Sequence, residues 1–163
     1  MELVFYIASA VAIAATVMVI TRVNAVHALL YLVVSLLAVA VIFYTLGAPF
    51  IAALEVIIYA GAIMVLFIFV IMMLNLGEEG RQQESQLLRP RSWIGPVILV
   101  LILGAEFLYM ITTGQPHTAG TTVVEPQQVG ISLYSTYLIG VELAAMLLLA
   151  GLVGAYHLGR ELR

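Results

Sequence analysis

Three glutamates have the greatest capacity for acid–base chemistry, because each interrupts a long apolar run: Glu55, Glu106 and Glu142. An acid at the centre of a bilayer costs about 2.5–3.5 kcal/mol on insertion scales when it is charged. Such residues usually face a protein interior or water, where they can take up and release protons. Each of the three is therefore a candidate for a functional role, which its local surroundings must decide.

Glu55 has a local partner in the stretch ALEVIIYAGAIMVLF, which covers residues 53–67. Tyr59 follows it at i+4, so the two side chains share one face of a helix. The phenol can donate a hydrogen bond to the carboxylate or accept one from the neutral acid. Beside water, such a pair is a reasonable proton-transfer element. The alternative is a neutral acid that bonds to a neighbouring subunit for packing alone.

The other two acids differ in their surroundings. Glu142 shares a helical stripe with large side chains, and the opposite side carries small residues that let another helix approach closely. The large residues are Met146, Leu149, Val153 and Tyr156, and the small ones are Gly140, Ala144, Gly151 and Ala155. Glu142 is therefore a second proton-path candidate, with the same packing alternative. No glycine follows Glu106 within its span, which favours a structural or interfacial role.

The composition defines the class of protein. Of 163 residues, 64% are hydrophobic and 9% are charged, against about a quarter charged in soluble domains. This predicts a polytopic membrane protein. Cysteine is absent, which excludes a disulfide framework, a thiolate metal site and iron–sulfur ligation. We predict no metal site and no nucleic-acid partner, and we find no phosphate-cradling glycine loop.

Five apolar segments are long enough to span a membrane as helices, which takes about 20 residues each. They cover approximately 3–21, 26–46, 49–76, 93–113 and 133–158. We therefore predict an all-α fold with a single membrane domain over 1–163, an inner loop at 77–92 and an outer loop at 114–130. The first apolar run lacks a positive leading region, so we expect a retained span rather than a cleaved signal. Asn24 is a predicted N-cap, and Pro49 suits the first turn of a helix.

The arginines predict an orientation. All six follow the first, third or fifth span, and none lies on the other side of the alternation. They are Arg22, Arg81, Arg89, Arg91, Arg160 and Arg163. The positive-inside rule then places the N-terminus outside and the C-terminus inside.

The third span contains a weak point near its middle. At about 28 residues, or roughly 42 Å, it exceeds the hydrocarbon thickness and must tilt or bend. Gly61 lies near its midpoint, and kinks and π-bulges occur at such positions. A π-bulge that formed or resolved would reorient Met64, Val65 and Phe67 relative to Glu55. A wet path could then open or close. The alternative is that Gly61 only allows close helix packing.

Several long stretches resemble one family. They are VHALLYL, ALEVIIYAGAIMVLF and VELAAMLLLAG, within Asn24 to Gly77 and Val129 to Arg160. They closely resemble subunit J of the proton-pumping NADH–quinone oxidoreductase, respiratory complex I, whose mitochondrial counterpart is chain 6. The resemblance covers nearly the whole chain and is weakest in the two long loops. Ala25 stands where many relatives are expected to have proline.

The resemblance implies a membrane-arm subunit beside the quinone-reducing module, packed against subunits A, K, H and N and lipids. It implies that this chain binds no redox centre, while the parent complex uses NADH, FMN, iron–sulfur clusters and quinone. It also implies a π-bulge that interconverts with α-helix and controls hydration, with Glu55 and Tyr59 on the path. The gating candidates are Tyr59, Ala60, Gly61, Ala62, Met64 and Val65. The expected location is the bacterial inner membrane rather than the mitochondrial one.

Three other functions remain open on the sequence. The chain could be a purely structural subunit with no part in proton movement. It could be a stand-alone ion transporter, although no internal repeat supports this. It could be a haem anchor, since His27 and His157 both lie near the predicted inner face, but neither belongs to a paired motif.

Overall fold

The computed structural model describes residues 2–22, 24–73, 90–113 and 123–160, and within these ranges every regular element is helical. The elements are α1 (Glu2–Thr21), α2 (Ala25–Thr45), α3 (Pro49–Leu54), a π-helical segment (Glu55–Ile63), α4 (Met64–Met73), α5 (Pro90–Thr113), α6 (Pro126–Tyr134) and α7 (Leu138–Gly159). Five stretches are long and apolar enough to cross a membrane: Glu2–Thr21, Ala25–Thr45, Pro49–Met73, Trp93–Thr112 and Leu138–Gly159. The predicted all-α class with five spans is confirmed.

The two short connections have the predicted local chemistry. The side-chain oxygen of Asn24 accepts hydrogen bonds from the backbone N–H groups of Val26 at 3.0 Å and His27 at 3.2 Å. This satisfies two of the free donors at the start of α2. Between α2 and α3, Gly47 has φ 82°, a conformation that glycine adopts without a Cβ penalty. Pro49 then opens α3. Such short turns make consecutive helices antiparallel neighbours.

The core lies where α1, α2 and α5 meet. It is a buried cluster of Val11, Ala15, Val34, Ala38 and Leu103. The two alanines have no exposed surface. Small side chains let helix backbones approach closely, which is the main source of helix association when lipid replaces water. This cluster therefore holds three of the five spans together.

One polar contact fixes how α1 lies against α2. The hydroxyls of Thr16 and Ser35 are 2.9 Å apart, and Ser35 also donates to the backbone carbonyl of Ala12 at 3.3 Å. Hydrogen bonds between membrane helices contribute about 0.6 kcal/mol on average. Their contribution here is mainly to the register of the two helices, because sliding would leave the Ser35 hydroxyl without these partners, whereas Thr16 would keep its bond to the Ala12 carbonyl within α1.

Tyr31 on α2 contacts both the turn that follows α1 and the start of α5. The guanidinium of Arg22 lies 5.4 Å from the centre of the Tyr31 ring, within cation–π range. The hydroxyl of Tyr31 occupies the space that a Cβ on Gly95 would need. Gly95 therefore allows a close approach between α2 and α5, and a larger residue here would require the Tyr31 side chain to move.

The chain forms two compact units, Met1–Val123 and Val124–Arg163. The second contains α6 and α7. A capping box starts α6: the Glu125 side chain accepts from the backbone of Gln128, and the Gln128 side chain accepts from the N–H of Glu125. The first part of α6 thus lies in the segment predicted as outer loop (114–130), because reciprocal capping stabilises a short helix that apolar patterning does not reveal.

The fifth span begins at Leu138 rather than near residue 133. The chain leaves the helical conformation at Ser135, which has φ −123° and ψ −83°. The Ser135 hydroxyl donates to the carbonyl of Ile131 at 2.5 Å, and the N–H of Tyr137 donates to the carbonyl of Ser132. These bonds close α6 and separate it from α7.

Some predicted features lie outside the described residues. These are the end of the third span at 74–76, residues 77–89 of the inner loop and residues 114–122 of the outer loop. The helix α5 begins at Pro90, so its backbone takes in the last residues of the predicted inner loop. The orientation of the termini stays a prediction.

Candidate functional site

The third span is α-helical at both ends and π-helical in its middle. The π-helical segment covers Glu55–Ile63. At its end, the N–H of Met64 donates to the carbonyl of Tyr59, which is the i→i−5 bond of a π-helix. Such segments are rare, usually occupy a single turn, and occur frequently at functional sites. The sequence EVIIYAGAI therefore adopts a backbone that differs from an ordinary spanning helix.

Gly61 explains why this segment tolerates the wider turn. A Cβ built on Gly61 would lie 3.2 Å from the backbone carbonyl oxygen of Val56, five residues earlier. That is tighter than an ordinary van der Waals contact, so the carbonyl would have to move. Glycine also weakens the competing α-helix by about 1 kcal/mol relative to alanine. Both effects favour the π form at this position.

The six gating candidates fall on both sides of one boundary. The π-helical segment contains Tyr59, Ala60, Gly61 and Ala62, and the first turn of α4 contains Met64 and Val65. Met64 is 2% exposed, whereas its neighbour Val65 is 64% exposed. No residue of the π-helical segment is buried. Met64 is therefore the residue of the first turn of α4 that packs into the bundle.

Glu55 and Tyr59 lie in the same segment without bonding to each other. Glu55 is half-buried and Tyr59 is 49% exposed. Among the described residues, no hydrogen bond joins the carboxyl group to the phenol. Both side chains are thus open to groups beyond this chain, such as water or another subunit.

An apolar groove of about 700 Å³ lies beside the start of the π-helical segment. Its walls come from α2, α3, the start of the π-helical segment and α5. They include Leu37, Ala53, Val56 and Phe107. Water binds stably inside proteins where two to four polar partners surround it. An apolar lining of this kind does not provide them. The groove is therefore not itself a hydrated proton path.

The structure separates the three intramembrane acids. Glu106 is buried inside the first unit, on α5, rather than at a surface. Of the structural and interfacial roles predicted for Glu106, this buried position is the one expected for a structural role; the sequence did not reveal which face of α5 packs inward. Glu142 is exposed on α7, in the second unit. Of the two proton-path acids predicted, only Glu55 lies in the π-helical segment.

The two histidines also lie on different units. His27 is half-buried at the start of α2, and its Nε2 has no hydrogen-bond partner among the described residues. His157 is exposed near the end of α7. Met64, one of the predicted gating candidates, is buried, which the sequence did not reveal.

Five apolar helices, an intramembrane acid and a π-helical turn define a polytopic helical membrane protein of the kind that works within a larger assembly. The profile of the NADH-ubiquinone/plastoquinone oxidoreductase chain 6 family matches residues 15–158. The chain belongs to this family.

The curated relatives agree along the whole chain. The NADH-quinone oxidoreductase subunit J of Pseudomonas aeruginosa is 57% identical over 162 residues, covering 99% of this chain and 98% of the relative. The subunit J of Escherichia coli K12 is 54% identical over 163 residues, covering 100% and 89%. That of Buchnera aphidicola from Schizaphis graminum is 48% identical over 161 residues, covering 99% of each.

Proposed function

We propose that this chain is a membrane-arm subunit of a bacterial NADH–quinone oxidoreductase that couples quinone reduction to proton translocation through its third span. The observation that carries the proposal is the π-helical segment, which begins at the intramembrane acid Glu55 and contains Gly61. Membership of the family indicates the enzyme complex, and the π-helical backbone is the part of the chain that can change conformation.

The geometry supports a rotation of α4. A π-bulge accommodates one extra residue, so its conversion to α-helix turns everything beyond it by about 100°, the angle of one residue. With α3 held in place, Ile63 would then take the position that Met64 has now. Met64 would leave the bundle interior. The conversion therefore exchanges which side chains face the bundle and which face outward.

This rotation can control water near Glu55. Met64, Val65 and Phe67 are apolar, and apolar side chains exclude water from the space they occupy. Glu55 is the first residue of the π-helical segment, next to α3, and would keep its position while these three side chains turn relative to it. In one form they leave room for water on the part of the path that leads along the helix to Glu55, and in the other they fill that room. Partner subunits supply the remaining walls.

Glu55 and Tyr59 have distinct roles in this scheme. The carboxyl group of Glu55 takes up and releases the proton. The phenol of Tyr59 donates to or accepts from a water that bridges the two groups, since they are not directly bonded. Because only water links the two side chains, a proton can pass between them only when the space between them is hydrated. Proton transfer is then coupled to hydration.

The wider setting follows from the family. We propose that the partners are the neighbouring membrane-arm subunits, resembling A, K, H and N, and lipids. NADH, FMN, iron–sulfur clusters and quinone would act in other subunits. The absence of cysteine from this chain supports this for the clusters. The apolar surface of α7, where no residue is buried, supports contact with those partners or with lipid.

State-dependent thiol labelling tests the rotation, because the chain has no native cysteine. In the assembled complex, the cysteine of Met64→Cys is expected to react slowly with a small thiol reagent at rest and several-fold faster during turnover. A cysteine at Ile63 should change in the opposite direction. The rate is measured by mass spectrometry of the labelled subunit in resting and turning-over enzyme.

The matched control is Val34→Cys, since Val34 on α2 is also buried but lies outside the third span. Its labelling should be the same in both states. Equal labelling of Met64→Cys at rest and during turnover would contradict the rotation and favour a purely structural subunit.

The proposed orientation has its own test. Glu125 precedes α6 and the fifth span, Arg160 directly follows the fifth span, and both residues are exposed. With the N-terminus outside, the cysteine of Glu125→Cys should react with a membrane-impermeant maleimide in right-side-out vesicles, and that of Arg160→Cys only in inverted vesicles. The reverse pattern would overturn the orientation, and labelling of both from one side would overturn the fifth span.

A further inference from the structure

The buried side of α5 is a regular stripe in which one position is acidic. Leu103 and Met110 are buried on this side, and Glu106 lies between them with 7% of its surface exposed. Residues spaced by three and four share one face of an α-helix. Glu106 therefore occupies a core position that apolar side chains fill one turn before and one turn after it.

The helices that pack against α5 offer this acid no partner. They are α2 and α1. The titratable or charged groups on these helices and on the turn between them are Glu2, Tyr6, Arg22, His27, Tyr31 and Tyr44. Among the described residues, neither carboxyl oxygen of Glu106 has a hydrogen-bond partner. The Arg22–Tyr31 pair lies near Gly95, about 16 Å along α5 from Glu106.

A cation from another subunit could not reach this carboxyl group either. Both oxygens are inaccessible from outside this chain even in the absence of its partners. Assembly can only bury them further. An unpaired carboxylate in an apolar interior is strongly unfavourable, whereas the neutral acid loses far less on leaving water. The remaining ligand that can reach these oxygens is a proton.

We propose that Glu106 is a second proton-binding site of this chain, a neutral carboxylic acid held between α5, α2 and α1. Leu103 and Met110, its neighbours along the stripe, both line the apolar groove. The acid thus lies behind the groove wall, and a displacement of either side chain would expose it. Proton exchange at Glu106 is therefore slow and follows movement of α5. This site does not depend on the role proposed for Glu55.

Infrared difference spectroscopy of the purified, assembled complex tests the site. Subtracting the spectrum of Glu106→Gln from that of the unmodified complex at neutral pH should reveal one C=O stretching band of a protonated carboxylic acid. Glu106→Met should lose the same band, and Glu55→Gln should retain it. In D₂O the band should shift more slowly than the amide bands of exposed segments exchange.

The opposite results are equally specific. Loss of carboxylate bands instead of the acid band would mean that Glu106 is ionised and paired, which overturns the proposal. A rapid shift in D₂O would contradict the enclosed position. Failure of both variants to assemble would also overturn it, because a neutral acid without hydrogen bonds makes no interaction that methionine lacks.

Discussion

Replacing Gly61 with alanine is expected to slow quinone-coupled turnover about fivefold in a fully assembled complex. Alanine favours the α-helix over glycine by about 1 kcal/mol, which is a factor of about five in the equilibrium. The added Cβ would also lie 3.2 Å from the Val56 carbonyl oxygen in the π form. Both effects shift the third span towards α-helix. Gly61→Leu should act more strongly, since a larger side chain adds crowding.

The measurement compares NADH oxidation by quinone with NADH oxidation by an artificial acceptor that bypasses the membrane. Only the quinone-linked rate should fall. Gly104→Ala is the matched control, because a Cβ on Gly104 meets no atom of this chain within 4 Å. An unchanged quinone-linked rate in Gly61→Ala, with normal assembly, would mean that the segment does not need to remain π-helical.

Replacing Glu55 with glutamine is expected to lower the rate of proton pumping on the order of tenfold, the change that about 1.4 kcal/mol on a barrier produces. Glutamine keeps the size and polarity of the side chain but cannot take up and release a proton near neutral pH. Assembly should be unaffected, because Glu55 makes no hydrogen bond to another described residue. Tyr59→Phe should lower pumping less, since water can partly replace the phenol.

Pumping is measured as protons moved per NADH oxidised in sealed vesicles, together with the rate. Glu2→Gln is the control, because Glu2 is an exposed acid at the start of α1. Wild-type rate and stoichiometry in Glu55→Gln would remove Glu55 from the proton path. The gating role of the third span would then have to rest on the thiol-labelling result alone.

Much of the fold could be predicted because lipid imposes simple rules on a sequence. A spanning segment must satisfy its own backbone hydrogen bonds, so apolar length alone predicts helices. The N-cap at Asn24 and the first-turn proline at Pro49 were predictable for a similar reason, since their chemistry is local. The break at Ser135 was missed because apolar residues continue on both sides of it.

The candidate site could be predicted only in part. The sequence by itself determined that an acid, a phenol and a glycine share one stretch of the third span. Only the tertiary structure decided that Met64 turns inward while Val65 stays exposed, and that the buried face of α5 includes Glu106. The physical reason is that nearly every residue of a spanning helix is apolar. Hydrophobic periodicity then no longer distinguishes the inner face, and close packing against particular neighbours, such as Ala38 and Gly95, makes that choice.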